Sequence, residues 1–312
     1  DKTFPEPATL YNDTVGKGTA WRLQTMSILH DMKLCSDLKV DPVYLMDNPL
    51  LKPDVAEINY YNAIFNRIPE PERSSIKKIY EERGKLLQEL KPSGKELLKY
   101  KFQWYLQDYL ACVASVDENV GRVLDYLDQQ GLATNTLFIY TGDQGMYLGE
   151  NGWFDKRWMY DVSMNAPLLM KWPGKIKAGT TTSQLTQSID YAPTMLAAAG
   201  IPVPDFMQGI SLVPLIKGQI KTLSRKNLYY HYYEDKADHT VLQHLGIRTE
   251  KYKLIYFYTV EEWELYNLEN DPDEQKNLIM RPEYQSLIKK LKNQLLKLRN
   301  KYEDHEKAGH LN

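Results

Sequence analysis

Apolar residues recur at three- and four-residue steps through Leu98, Phe102, Leu106, Tyr109, Val113, Val116, Val120, Val123 and Leu127. That period predicts one long helix over residues 96–130, ended by Gly131. Asn135 and Thr136 lead into Leu137-Phe138-Ile139-Tyr140, a nearly continuous apolar run that predicts a short strand covered on both faces. Helix, turn and covered strand are half of a parallel α/β repeat. Residues 141–166 follow as a loop with four glycines and little period. Residues 167–172 read as the next strand, turned by Pro173-Gly174. A short helix is expected over 190–200, with Asp190 at its N-cap and Gly200 just past its end.

Upstream, Pro5, Pro7, Pro42, Pro49 and Pro53 break up the first 55 residues, leaving a helical candidate at 19–32. This stretch is expected to be a long surface excursion packed on something larger. Residues 56–92 are charged and helical in pattern, best over 73–90, until Pro92-Ser93-Gly94. After Lys221 the character changes. Residues 227–233, 245–249 and 252–258 are β-rich or alternating and predict an antiparallel meander, with one more strand at 265–268. Leu287, Leu291, Leu295 and Leu298 mark a final amphipathic helix over 282–305. The expected division is an α/β part, 1–220, and a smaller subdomain, 221–312.

Composition narrows the function. The chain has 312 residues, with 39 Lys and Arg against 41 Asp and Glu, a formal net charge of −2. It lacks the bulk basic field of a non-specific nucleic-acid binder. No stretch approaches the ~20 consecutive apolar residues of a membrane-spanning helix. Two cysteines, Cys35 and Cys112, are too few for a disulfide framework or a four-cysteine zinc site. Tyrosine, at 23 residues against 7 Phe, suits either carbohydrate clefts or amphipathic surfaces.

The strongest candidate chemistry is Thr141-Gly142-Asp143-Gln144-Gly145, directly after the predicted strand, because ligands in open α/β sheets collect at the carboxyl ends of strands. A carboxylate beside a neutral carbonyl oxygen suits a hard cation, Ca²⁺ or alternatively Mg²⁺, and not zinc. The same residue types also suit an ordinary turn, and the pentapeptide alone does not choose. Lys156, thirteen residues after Asp143, is a compact point charge for an oxyanion or else a solvated surface lysine paired with Asp155. His231 and His244 fall in or near predicted strands and are candidates either to line a cleft or to be structural. No Gly-rich phosphate loop and no Gly-x-Ser-x-Gly elbow is present.

The run Tyr140-Thr141-Gly142-Asp143-Gln144-Gly145-Met146-Tyr147-Leu148-Gly149-Glu150-Asn151-Gly152-Trp153-Phe154-Asp155-Lys156-Arg157 closely resembles the metal-and-sulfate loop of type I sulfatases, members of the alkaline phosphatase superfamily. Met159-Tyr160-Asp161 to Ala166-Pro167-Leu168-Leu169 is similar to that family's Tyr-Glu…Arg-x-Pro-Leu segment. Asp190-Tyr191-Ala192-Pro193-Thr194 to Gln208-Gly209-Ile210-Ser211-Leu212 resembles its Asp-x-x-Pro-Thr helix and Gln-Gly-x-Ser-Leu. Arg248-Thr249 to Tyr252-Lys253-Leu254, and Glu264-Leu265-Tyr266-Asn267-Leu268 to Asp271-Pro272, resemble its carboxyl-terminal tail. The blocks lie in the family order across residues 95–300, and within the family they look most like glycan sulfatases of the N-acetylglucosamine-6-sulfatase type.

The resemblance implies an alkaline-phosphatase-like sandwich: a central, mostly parallel sheet and a small carboxyl-terminal antiparallel subdomain with a packed helix. It implies a sulfuric ester hydrolase acting on sulfated glycans, with a phosphoesterase of the same superfamily or a non-catalytic glycan-binding relative as alternatives. On it, Asp143 and Gln144 are metal ligands and Lys156 a catalytic sulfate partner, while Trp153, His231, His244 and Arg248 are expected on the sugar. It also implies a periplasmic, secreted or lysosomal setting. The family's formylglycine arises in a Cys/Ser-x-Pro/Ala-x-Arg motif, and neither Cys35-Ser36-Asp37 nor Cys112-Val113-Ala114 fits it. Its Asp-Asp metal pair is also not found. The chain is therefore expected to be the carboxyl-terminal part of a longer sulfatase. Asn151 and Asn165 depart from the family's usual His and Arg.

Overall fold

A computed structural model describes residues 2–12, 14, 17–235, 238–305, 308 and 311. Among them the helices are α1 (Thr19–Leu23), α2 (Val55–Phe65), α3 (Glu72–Leu90), α4 (Gly94–Gln129), α5 (Asp161–Met164), α6 (Tyr191–Ala198), α7 (Val213–Ile216) and α8 (Gln285–Lys301). The strands are β1 (Phe138–Thr141), β2 (Tyr147–Leu148), β3 (Phe154–Asp155), β4 (Leu168–Lys171), β5 (Asn227–Tyr232), β6 (His244–Thr249), β7 (Tyr252–Phe257) and β8 (Glu262–Asn267). None of these helices is long and apolar enough to cross a membrane. Two compact units emerge: Asp1–Val15, Thr25–Asn119 and Tyr147–Asp155 form the first, and Gly16–Gln24, Val120–Met146 and Lys156–Asn312 the second. The change near residue 221 is one of element type, with β5 opening the meander, and the compact units divide elsewhere.

The first unit gathers α2, α3 and the front of α4 around Ile28, Leu38, Leu45, Leu87, Leu98 and Phe102, all buried. The proline-broken opening is thus a supplier of core, through Leu10, Ile28, Leu34, Leu38, Val40 and Leu45, rather than a surface excursion. The helix expected at 19–32 stops at Leu23. Past it the Asp31 carboxylate accepts the Ser27 N–H at 2.8 Å and holds a turn instead. Buried Arg83 clamps α3 to α4 by two bonds to the Asp108 carboxylate, at 2.7 and 2.8 Å. Burial pulls the Lys101 ammonium down to about 8, and its Nζ donates to the Leu29 and Met32 carbonyls. Within the expected loop 141–166, β2 and β3 form a small antiparallel ladder.

The long helix is present with the predicted period, but only its front half is a core element. From Ala111 onward its apolar stripe is open or half-open: Val113, Val116, Val123 and Tyr126 are 43–57% exposed, and Cys112 is exposed too. Periodicity reports which face a helix would bury, not whether a partner surface is there.

In the second unit, β1 pairs antiparallel with β4, Phe138 opposite Lys171 and Thr141 opposite Leu168. The parallel repeat expected here is not formed among the chain's own described strands, and β1 is half-buried rather than covered on both faces. A parallel neighbour needs a long crossover, usually an α-helix packed on the sheet. The connection from β1 to β4 carries the β2–β3 ladder and the one-turn α5, with no long crossover helix among the described residues, and brings the chain back in the opposite direction.

The meander is as expected, a four-stranded antiparallel sheet in the order β5-β6-β7-β8. Its two faces do different things. Leu245, Ile247, Leu254 and Leu265 point to α8 and pack on Ile288, Leu291 and Leu295. The alternate residues carry polar and aromatic groups and hold the segment 158–161. Trp158 packs tilted against His244 and edge-on against Phe257, at centroid distances of 6.1 and 5.5 Å. The Tyr160 hydroxyl donates to Glu264 at 2.6 Å and accepts from the Trp21 indole at 2.7 Å. Gly246 is required where Met159 crosses the sheet, because a Cβ there would lie 2.4 Å from the Met159 sulfur.

This buried face makes stability depend on pH. Burial pushes the Glu264 carboxyl up to about 7 despite hydrogen bonds from Tyr160 and Tyr266. A folded-state pKa above the unfolded value favours folding fully at pH below about 4.5, and that contribution is lost as pH rises through 7. Glu264→Gln is therefore expected to stabilise the chain at pH 8 relative to pH 5, by up to ~3 kcal/mol, since one pKa unit is worth about 1.4 kcal/mol. Thermal melts of both proteins at the two pH values check it. Equal differences at pH 5 and pH 8 would refute it. His244 acts in the opposite sense in both proteins: burial lowers it to about 4, so its contribution is lost as pH falls from 6.5 through 4.

Candidate active site

Thr141 ends β1, and its hydroxyl shares a 2.8 Å hydrogen bond with that of Tyr191 at the start of α6. Gly142-Asp143-Gln144 then turn away from the strand, and the Gly145 N–H docks on the Ser163 carbonyl at 2.8 Å. Gly145 is needed for closeness, since a Cβ there would sit 2.0 Å from the Val162 carbonyl oxygen. Gly142 has no such demand; its Cβ would meet only ordinary contacts at 3.5 Å.

Asp143 and Gln144 line a hollow of about 520 Å³ that lies wholly in the second unit. Arg157, Asp161, Tyr191 and Arg248 line it too. Both Asp143 and Gln144 are exposed. Among the described residues, neither side chain is engaged in a hydrogen bond or an ion pair. A lining that combines an uncommitted carboxylate and an amide oxygen with two arginines can accept a cation and a tetrahedral anion together.

The cationic side is anchored by the sheet. Arg248 on β6 donates twice to Asp161, from Nε at 3.1 Å and from Nη2 at 2.9 Å. Fully buried Lys253 on β7 adds a third bond to Asp161 at 2.6 Å and an ion pair to Glu274 at 2.7 Å. Burial acts to raise Asp161, but the Arg248 hydrogen bonds and the Lys253 charge outweigh it and hold the carboxyl at about 2. Burial dominates at Glu274 and pushes it up to about 7 against the pull of Lys253. Arg157 sits at φ +91°, a conformation that non-glycine residues rarely adopt and that recurs at functional sites. The Tyr230 hydroxyl donates to its carbonyl at 3.1 Å.

The residues singled out from sequence separate into groups. Asp143, Gln144 and Arg248 line the hollow. Lys156 is half-buried and is not among its lining residues, whereas the adjacent Arg157 is. Trp153 belongs to the first unit, buried edge-on against Tyr147. His231 is engaged by the Asp304 carboxylate at 2.6 Å and the Tyr258 hydroxyl at 3.2 Å. His244 is fully buried, its Nδ1 donating to the Leu242 carbonyl at 2.7 Å. Neither histidine lines the hollow. Of the two departures, Asn165 lines the hollow, and Asn151 is buried at φ +59° with its N–H on the Thr9 hydroxyl. Sequence reasoning passed over Arg157 and Asp161 as site residues; the acid at the resemblance's Tyr-Glu position was the available signal for Asp161.

The sulfatase family model matches residues 60–201, and that of the C-terminal part of N-sulphoglucosamine sulphohydrolase matches residues 149–301. An N-acetylglucosamine-6-O-sulfatase of Bacteroides thetaiotaomicron is 42% identical over 97% of this chain and 54% of its own length. The chain belongs to the sulfatase family. An arylsulfatase of Clostridium perfringens is 30% identical over 61% of this chain and 39% of its own length. A solved structure of a protein in complex with its substrate D-glucosamine-2-N,6-O-disulfate is similar with a TM-score of 0.90 and 41% identity, covering 97% of this sulfatase chain and 61% of that one. The alkaline-phosphatase-like fold follows from that likeness, and the chain spans only part of the length of these relatives, from 39% to 61%.

Proposed function

We propose that the complete protein hydrolyses a sulfate ester of a glucosamine-type sugar, of the kind found in glycosaminoglycans. The observation that carries this is the hollow, which Asp143 and Gln144 line together with Arg157 and Arg248. The names of the relatives supply the substrate class: one is an N-acetylglucosamine-6-O-sulfatase, the other is bound to a disulfated glucosamine.

The donors fit a share of a hard-cation site. Ca²⁺ takes six to eight oxygens, and Asp143 and Gln144 offer an acidic and a neutral one without thiolate or imidazole. Among the described residues no cluster of three His, Cys, Asp or Glu could hold a metal, so further ligands would come from sequence beyond these residues. When bound, the cation would neutralise and orient a sulfate oxygen. The chain's own part is electrostatic. Arg157 and Arg248 offer fixed N–H donors to sulfate or sugar oxygens, with Asp161 and Lys253 keeping Arg248 from reorienting. Donors fixed before reaction cost no reorganisation when charge develops on the leaving oxygen. The nucleophile motif of the family is not in these 312 residues and would be contributed by the rest of the protein. Relatives of this kind imply an extracytoplasmic setting, periplasmic, secreted or lysosomal.

The test is sulfate release by the complete protein from N-acetylglucosamine 6-sulfate and glucosamine 6-sulfate, against 6-phosphate analogues. Release from the sulfate esters is expected. Turnover of the phosphate esters alone would transfer the site to the phosphoesterase alternative, and no turnover of either would favour a non-catalytic glycan binder.

A further inference from the structure

A second concavity lies beside the hollow in the same unit. It encloses about 1090 Å³ and shares Leu168, Thr182 and Thr186 with the hollow, so the two are continuous. Its walls include Met170, Ile176 and Ile216, and Thr180, Thr181 and Thr182 line one stretch. Four lysines, Lys175, Lys177, Lys217 and Lys221, complete the lining, and no Asp or Glu is part of it. All four are exposed, and among the described residues none is ion-paired. Lys217 lies over the Trp172 ring at 4.9 Å. On a chain whose acids slightly outnumber its bases, a four-to-none lining is a local positive field unlike the rest of the molecule.

We propose that this groove is a binding subsite for an extended, polysulfated glycan chain, continuous with the hollow that takes the sugar to be desulfated. The chemistry of the lining matches such a chain piece by piece. Aliphatic walls cover the C–H faces of successive sugar rings, threonine hydroxyls exchange hydrogen bonds with ring hydroxyls, and ammonium groups take sulfates. The choice of a glycan over another polyanion rests on the sulfated-sugar reading of the hollow. The lysines act as mobile point charges rather than bidentate clamps, which suits sulfates whose positions vary along a chain. Each sulfate neutralised releases counterions, so affinity falls steeply with salt.

The experiment measures binding of the complete protein to a heparin-type dodecasaccharide at 50 and 200 mM salt. The dodecasaccharide is expected to bind with an affinity that drops by at least about tenfold across that range. A variant carrying Lys175→Ser, Lys177→Ser, Lys217→Ser and Lys221→Ser should bind at least about tenfold more weakly and lose most of the salt dependence. A control with Lys78→Ser, Lys289→Ser, Lys290→Ser and Lys297→Ser removes the same charge elsewhere. Equal weakening by the control, equal binding of the desulfated dodecasaccharide, or preferential binding of anionic phospholipid vesicles would each overturn the proposal. Binding is read without turnover, so the two ideas fail separately. Sulfate release by the complete protein with no dodecasaccharide binding would sink the groove alone. Lysine-dependent binding with no sulfate release would sink the hydrolase alone.

Discussion

Asp143→Ala in the complete protein is expected to lower kcat/KM on a 6-sulfated glucosamine by about 10³-fold, the scale seen when one preorganised electrostatic group is removed from a reacting centre. Stability should hardly move. Asp143 is exposed and has no hydrogen-bond or ion partner among the described residues, so no folded-state interaction is lost. Surface substitutions of that kind stay within about 0.5 kcal/mol. The Ca²⁺-dependent rise in melting temperature should shrink with activity, because a charged oxygen ligand is gone. Gln144→Ala removes a neutral oxygen and should show the same pattern more weakly. Turnover near that of the parent, or unaltered Ca²⁺ stabilisation, would show that this turn does not hold the cation.

Asp190→Ala should do the reverse and fail through folding. Its carboxylate is fully buried and accepts the Gln187 and Ile210 backbone N–H groups, each at 2.8 Å. It also pairs with both terminal nitrogens of Arg225, whose side chain is 5% exposed. Deleting it strands a buried guanidinium and two backbone donors. Breaking a buried pair from one side costs roughly 3–5 kcal/mol, a large share of the 5–15 kcal/mol that holds a typical domain. Denaturant titration should show it directly. The double variant Asp190→Asn with Arg225→Met should recover part of the loss, since no unpaired charge then remains. If Asp190→Ala costs under 1 kcal/mol, this pair does not anchor the wall of the hollow that runs from Gln187 to Tyr191.

Asp190 also shows where reading along the chain stops. Its place before Tyr191-Ala192-Pro193-Thr194 suggested a helix cap. In the fold its side chain makes no cap bond to α6; it closes a capping box with Gln187 on the 3₁₀ turn Ser188–Asp190 and reaches on to residues 210 and 225. Gly200 did what its position suggested and closes the helix at φ +74°. A cap formed by backbone conformation is local and visible in sequence; a carboxylate's choice among distant donors is not.

The same distinction runs through the whole chain. The period of 3.6 from Leu98 to Leu127, the alternation in β6 and β7, the leucines of α8 and the Asp143-Gln144 turn after an apolar strand could all be read from sequence, because each is a relation between near neighbours set by backbone geometry. The tertiary structure decided the rest: that β1 and β4 run antiparallel, and that Arg157, Asp161 and Arg248 meet Asp143 at one hollow. Those are relations between segments as far apart as Asp143 and Arg248, 105 residues. They depend on which surfaces find each other once the sheet has formed, and no local pattern encodes that.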